Sequence, residues 1–101
     1  MVRIVFTAML GAGMTAAQAQ EPDPAAIALL AGPCANCHGP EGRSAGAIPP
    51  IAGLDEEYAV AKMLAARADA DPKATVMPRL MKGYDEAQIR ALASWFARAG
   101  Q

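Results

Sequence analysis

Five consecutive residues constrain this chain more than any other feature. Cys34 and Cys37 are separated by Ala35 and Asn36, and His38 follows directly. This C-x-x-C-H spacing is the attachment signature of c-type haem. Two thiols at this spacing can form thioether bonds to the two vinyl groups of one porphyrin. The histidine that follows is then held beneath the iron, where a ring nitrogen can bind it. The spacing therefore predicts one covalently attached haem c.

Two other chemistries also use closely spaced cysteines. A thioredoxin-like dithiol requires a βαβ pattern around the C-x-x-C motif, and no strand pattern precedes it here. A structural zinc site needs four ligands, whereas the motif supplies Cys34, Cys37 and His38 and the chain has no second cysteine pair. Both remain as alternatives, and the haem is the interpretation that accounts for all three residues.

The second axial ligand of a haem iron must come from another residue type, because His38 is the only histidine. Methionine is the usual alternative and raises the reduction potential. Met77 is the first candidate, since it precedes Pro78 in a segment that we expect to be a non-helical loop. Met81 is the second, in a short helical turn. Met63 lies in a predicted helix, where packing is the ordinary role of a methionine. A lysine or an open position are the further alternatives.

Residues 1–19 have the three parts of a bacterial-type export signal. Arg3 supplies the positive charge, and residues 4–14 are an uncharged, mostly apolar run of 11 residues. The tripeptide Ala17-Gln18-Ala19 places small residues where a signal peptidase reads them. A membrane-spanning helix needs about 20 apolar residues, so a retained anchor is the weaker alternative. We expect cleavage before Gln20 and a periplasmic product without a membrane anchor.

The mature chain offers few large side chains for a core. Its 82 residues include only 19 large apolar ones once alanine and cysteine are set aside. Chains of this size often need a disulfide, a metal or another covalent link for stability. The net charge of the full chain, −1, gives no indication of nucleic-acid binding. We expect one domain in which the missing bulk is a haem, covered by Leu30, Ile51, Leu54, Leu64, Leu80, Leu92 and Phe96.

Three helices are predicted. Apolar residues spaced i, i+3, i+4 and i+7 indicate a helix over 86–99, and Asp85 with Gln88 can form a capping box before it. A second helix is expected over 56–68, and a third from Pro24 to Ala31, where proline suits the first turn.

Two loops rich in glycine and proline join these helices, over 39–54 and 69–84. Long loops in a small domain usually wrap a ligand or carry function. No segment alternates in the manner of a strand. The predicted fold is therefore all-α, with three main helices and long loops wrapped around one haem.

Several stretches besides the haem motif make the chain resemble a known family. They are Ile-Pro-Pro-Ile-Ala-Gly at 48–53, Ala-Thr-Val-Met at 74–77, Lys-Gly-Tyr at 82–84 and the closing helix at 85–97. Together with Cys-Ala-Asn-Cys-His-Gly at 34–39, they resemble the small class I c-type cytochromes over roughly residues 29–97. Within these, the chain looks most like the monohaem cytochrome subunit of flavocytochrome c sulfide dehydrogenase, with cytochrome c4-like and c-553-like proteins as relatives.

This resemblance implies a role for each residue of the site. Cys34 and Cys37 would bind the haem covalently, and His38 would be the proximal ligand of the iron. Met77 would be the distal ligand. The backbone carbonyl of Pro49 would accept a hydrogen bond from the other ring nitrogen of His38, a contact that fixes the orientation of a metal-binding histidine. Trp95 in the last helix would lie near Leu30 in the first.

The resemblance also implies a function for the domain over 20–101. It would be a class I cytochrome c that transfers single electrons and is not an enzyme by itself. The partner would be a flavoprotein that oxidises sulfide, and an acceptor cytochrome would receive the electrons. The alternatives are a free soluble carrier between respiratory or photosynthetic complexes, and an open-site haem sensor.

Overall fold

A computed structural model describes residues 11–13 and 22–99. The predicted export signal over 1–19 lies outside these residues, apart from 11–13. The described part contains five α-helices and no strand: α1 (Pro24–Ala31), α2 (Ala35–His38), α3 (Glu56–Arg67), α4 (Met77–Met81) and α5 (Glu86–Ala99). Single 3₁₀ turns occupy Gly32–Cys34 and Pro40–Gly42. The prediction of an all-α fold is confirmed.

The three predicted helices are present as α1, α3 and α5, and an aspartate caps each of them. Asp23 accepts a hydrogen bond from the backbone N–H of Ala25 at 3.3 Å, and Asp55 accepts one from the N–H of Tyr58 at 2.9 Å. Before α5, the predicted capping box forms in both directions. The Gln88 N–H donates to Asp85 at 2.8 Å, and the Asp85 N–H donates to the Gln88 side chain at 3.0 Å. These caps satisfy backbone donors that have no partner inside the helix.

One prediction about the loops is wrong, because Met77 does not lie in a non-helical loop. It is the first residue of α4, and Pro78 is the second. Proline is tolerated in the first helical turn, where its missing N–H would have had no acceptor. The N–H groups of Arg79 and Leu80 instead bond to the carbonyl of Val76, at 3.0 and 3.4 Å.

Helix α5 packs against both α1 and α3 and so joins the two halves of the core. The first cluster of buried residues is formed by Ile27 and Ala31 of α1 with Leu92 and Phe96 of α5. The second is formed by Ala66 of α3, Met81 of α4 and Ile89 of α5. Buried alanines at these contacts let the helix axes approach closely. No described helix has the length and apolar character needed to cross a membrane.

Candidate haem site

The three residues of the C-x-x-C-H motif lie on a continuous helical turn. Cys34 ends the 3₁₀ turn, while Cys37 and His38 belong to α2. The cysteines are not joined to each other; Cys34 is half-buried and Cys37 is exposed. Partial burial raises the pKa of the Cys34 thiol above its ordinary value, because a thiolate is poorly solvated there. Both sulfurs are therefore present as separate groups that can each attach to a cofactor.

The glycine after the motif lets the chain turn away directly after His38. Gly39 has a φ of +84°, and a Cβ there would lie 2.8 Å from the backbone nitrogen of Ser44. A residue with a side chain would be strained in this conformation and would also collide with Ser44. Helix α2 thus ends immediately beyond His38, and the following loop folds back beside it.

The imidazole of His38 is oriented by one hydrogen bond. Its Nδ1 donates to the backbone carbonyl of Pro49 over 2.7 Å, since a carbonyl oxygen can only accept. In the neutral ring, Nε2 then keeps its lone pair, which is the electron pair that a metal ion binds. Contacts of this kind fix both the tautomer and the ring plane of a metal-binding histidine. Among residues 11–13 and 22–99, no group of three or more His, Cys, Asp and Glu side chains is arranged to hold a metal ion.

Backbone hydrogen bonds join the loop that carries Pro49 to the second 3₁₀ turn and to α5. The Gly42 carbonyl accepts from the N–H of Ile51 at 2.8 Å and from that of Ala52 at 3.0 Å. The Gly53 N–H donates to the Phe96 carbonyl at 2.8 Å. Nothing in the local sequence pattern around 39–53 indicated these long-range contacts, which place the acceptor for His38.

The two candidate methionines occupy different environments. The side chain of Met81 is buried, at 2% exposure, and packs with Ala66 and Ile89. Met77 is half-buried at the edge of the same cluster. Protein atoms therefore surround Met81 already, whereas Met77 keeps part of its side chain accessible. Met63 packs against both clusters as a partly buried core residue.

Exposed apolar side chains flank both halves of the candidate site. Ile48, beside Pro49, is 42% exposed, and Val76, beside Met77, is 59% exposed. Leu80, which we expected to cover a haem, is 50% exposed. The apolar faces of a porphyrin suit such side chains, so the residues present fit a covalently attached haem. No sequence signal indicated Ile48 or Val76 as site residues, although each directly precedes a predicted one.

The other predicted haem-covering residues divide into two groups. Leu92 and Phe96 are buried against α1. Leu30 and Ile51 are half-buried around that first cluster, Leu64 is half-buried against the second, and Leu54 is half-buried outside both. Cavities of about 710 and 500 Å³ share Pro24, Trp95 and Arg98 as lining residues, and neither is lined by the motif or by Met77. The candidate site therefore coincides with neither of these two cavities.

Two comparisons with known proteins agree with this geometry. The family model of cytochrome c matches residues 25–99. The cytochrome subunit of sulfide dehydrogenase from Chlorobaculum tepidum is 35% identical over 68 residues, which is 67% of this chain and 61% of that relative. The match therefore spans less than two thirds of the length of the relative.

Proposed function

The chain belongs to the cytochrome c family, and on this premise we propose that it is a periplasmic monohaem subunit of a flavocytochrome c sulfide dehydrogenase. As a cytochrome c, it carries covalently bound haem c and transfers electrons. The observation that carries the finer proposal is the 35% identity with the cytochrome subunit of sulfide dehydrogenase from Chlorobaculum tepidum. The proposed electron donor is a flavoprotein that oxidises sulfide, and the proposed acceptor is another cytochrome.

In this proposal the motif residues hold the cofactor. Cys34 and Cys37 form the two thioether bonds, and His38 is the proximal ligand of the iron. The 2.7 Å hydrogen bond from His38 Nδ1 to the Pro49 carbonyl supports this role, because it leaves the Nε2 lone pair to bind the iron. The bound haem supplies an iron that alternates between the ferrous and ferric states.

Met77 is the proposed distal ligand, with Met81 as the alternative. The structure supports this order, because the Met81 side chain is 2% exposed and contributes to the core shared by α3, α4 and α5. Its use as a ligand would remove it from that core and leave a cavity. Met77 has no such role at the centre of the cluster.

Residues 1–19 are the proposed export signal, and residues 20–101 the proposed cytochrome c domain. The export signal is consistent with covalent haem attachment, since both predict a protein that matures outside the cytoplasm. N-terminal sequencing of the purified holoprotein checks the proposal. A first residue of Gln20 supports it, and a chain that still begins at Met1 contradicts it.

The subunit proposal is tested by sulfide-dependent reduction of the haem. Ferric protein is mixed anaerobically with sulfide and the flavoprotein subunit of a flavocytochrome c, and the ferrous absorption bands are followed by stopped flow. Sulfide without the flavoprotein is the control, because sulfide also reduces haem directly. We expect reduction many-fold faster with the flavoprotein, together with co-elution of haem and flavin in gel filtration.

A free carrier predicts a different result in the same experiment. Reduction would then be no faster with the flavoprotein than without it, and haem and flavin would elute separately. An open-site sensor predicts rapid binding of carbon monoxide by the untreated ferrous protein. Either result would overturn the subunit proposal while leaving the family assignment intact.

A further inference from the structure

The end of α3 holds the segment 77–84 at two polar contacts. The Arg67 Nη1 donates to the backbone carbonyl of Tyr84 at 3.1 Å, and this hydrogen bond is partly buried. The Lys82 Nζ donates to the carboxylate of Asp69 at 2.8 Å and to the carbonyl of Pro78 at 3.2 Å. One end of α3 thus contacts the residues that follow α4 and, through Lys82, a carbonyl within α4.

The position of the Asp69 carboxylate is set by the way in which α3 ends. Asp69 has a left-handed backbone conformation, with a φ of +55°, which aspartate adopts more readily than most residues. Its N–H donates to the carbonyl of Ala66 at 3.1 Å, and the N–H of Ala70 donates to that of Ala65 at 2.8 Å. The helix end is therefore closed by backbone hydrogen bonds that aim Asp69 at Lys82.

A third contact between α3 and this segment is apolar. Met81 is buried against Ala66, and each of these residues directly precedes a residue of a polar contact, Lys82 and Arg67 respectively. Met77 is the first residue of the segment held in this way. Among the described residues, Arg67 and Asp69 are the charged residues outside the segment 77–84 whose side chains hydrogen-bond to it.

We propose that Arg67, Asp69 and Lys82 form a clamp that positions Met77 for iron ligation. This inference rests on the proposed role of Met77 as the distal ligand. A methionine is a neutral ligand whose presence at the metal depends on the backbone that carries it. A looser segment leaves the sixth coordination position open for a larger fraction of time, and an added ligand then binds more tightly in proportion to that fraction.

Imidazole binding to the ferric holoprotein measures this fraction. Imidazole competes with the methionine, and its binding removes the weak red absorption band that reports a sulfur-to-iron bond. We expect Arg67→Gln to raise the affinity for imidazole about tenfold, since it removes a partly buried hydrogen bond from a charged donor. Lys82→Gln should raise it about threefold, because exposed ion pairs contribute less. The affinity of Arg67→Lys, which retains a charged donor, should lie closer to that of the wild type.

A matched control comes from α5. Arg90 forms exposed pairs with Glu86 at 3.1 Å and with Glu57, in the first turn of α3, at 3.7 Å. Arg90→Gln therefore removes an arginine and two ion pairs that involve neither the segment 77–84 nor the last turn of α3. We expect it to leave the imidazole affinity unchanged. The clamp also predicts that Asp69→Asn combined with Lys82→Gln binds imidazole no more tightly than Lys82→Gln alone, since the two residues act as one pair.

Two outcomes separate the clamp from the ligand assignment. If Arg67→Gln and Lys82→Gln lower the unfolding free energy but bind imidazole as the wild type does, the residues are merely structural and the clamp is overturned. Met77→Ala tests the ligand itself and should lose the red band and bind imidazole most tightly. If Met77→Ala keeps the band, the proposed ligation fails independently of the clamp.

Discussion

The two methionines of α4 have the same side chain but differ in burial, and we expect them to differ in function. Met81 is 2% exposed and packs with Ala66 and Ile89, whereas Met77 is half-buried at the edge of that cluster. Met81→Ala should therefore lower the unfolding free energy by about 2–5 kcal/mol, the cost of removing a buried methionine side chain. The red sulfur-to-iron band should remain. Met77→Ala should abolish the band with a smaller loss of packing.

Visible spectroscopy and denaturant unfolding of the ferric Met77→Ala and Met81→Ala holoproteins test these two predictions. Each variant serves as the control for the other, because both remove one methionine from the same short helix. A band lost in Met81→Ala and kept in Met77→Ala would reverse the assignment of the distal ligand.

The pKa of Asp71 gives a pH dependence at the residue scale. The Asp71 carboxylate accepts a hydrogen bond from the backbone N–H of Lys73 at 3.0 Å and another from the Lys62 ammonium at 3.4 Å. These contacts hold the pKa of Asp71 below its ordinary value. A lowered pKa means that the folded state favours the ionised carboxylate. The stabilisation is therefore present at neutral pH and is lost as the pH falls through the lowered pKa.

Asp71→Asn should accordingly be less stable than the wild type at neutral pH. The difference should shrink in acid and vanish once Asp71 is protonated in the folded wild type. Asp71 is half-buried, but its partner Lys62 is mostly exposed, so the ion pair contributes little. The effect shows best in denaturant unfolding measured at several pH values. Lys62→Gln removes only the weaker of the two contacts and should give a smaller difference. An Asp71→Asn difference that persists unchanged in acid would contradict the argument.

At the scale of elements, Gly42 joins the second 3₁₀ turn, the Pro49 loop and α5. Its φ is +76°, and a Cβ there would lie 2.7 Å from Ile51 Cγ1 and 3.0 Å from Phe96 Cδ1. Gly42→Ala should lower the unfolding free energy by about 1–3 kcal/mol through overpacking, with a further cost from the left-handed backbone. Thermal unfolding of the holoprotein measures this loss.

Gly46→Ala is the matched control within the same loop. The nearest atom to a Cβ at Gly46 is Ser44 Oγ at 3.9 Å, an ordinary contact distance, and its φ is not in the left-handed range. We expect Gly46→Ala to change the unfolding free energy by no more than about 0.5 kcal/mol, as for most surface substitutions. If Gly42→Ala and Gly46→Ala lowered the unfolding free energy equally, crowding against Ile51 and Phe96 would not account for the destabilisation.

The sequence predicted the elements whose signals are local. α5 follows from its apolar spacing and from the capping box at Asp85, and α1 follows from the proline in its first turn. The C-x-x-C-H motif is likewise contained in one stretch. α4 was predicted only in part. Met81 was expected in a short helical turn, whereas Met77 was expected in a loop before Pro78, although a proline in the first turn is compatible with a helix. Contacts between distant residues were also missed, such as that between Arg67 and Tyr84, because no pattern along the chain records them.

At the scale of the whole molecule, the polypeptide core is small. Nine apolar residues are buried in the described part, and three of them are alanines. At the same time Leu29, Val76 and Leu80 are 80%, 59% and 50% exposed. A chain that buries so few large side chains gains little hydrophobic stabilisation to oppose the conformational entropy of folding. The haem of a cytochrome c supplies apolar area that such a chain lacks.

Stability of the whole domain should therefore depend on the attached cofactor. Replacement of both Cys34 and Cys37 by alanine removes the attachment points, and we expect the exported chain to be largely unfolded. Circular dichroism should show little helix and no cooperative thermal transition. The wild-type chain produced without haem attachment is the control and should behave similarly, because the missing component is the porphyrin and not the thiols. A cooperative transition in both haem-free chains would mean that the clusters around Phe96 and Ile89 suffice to fold the domain.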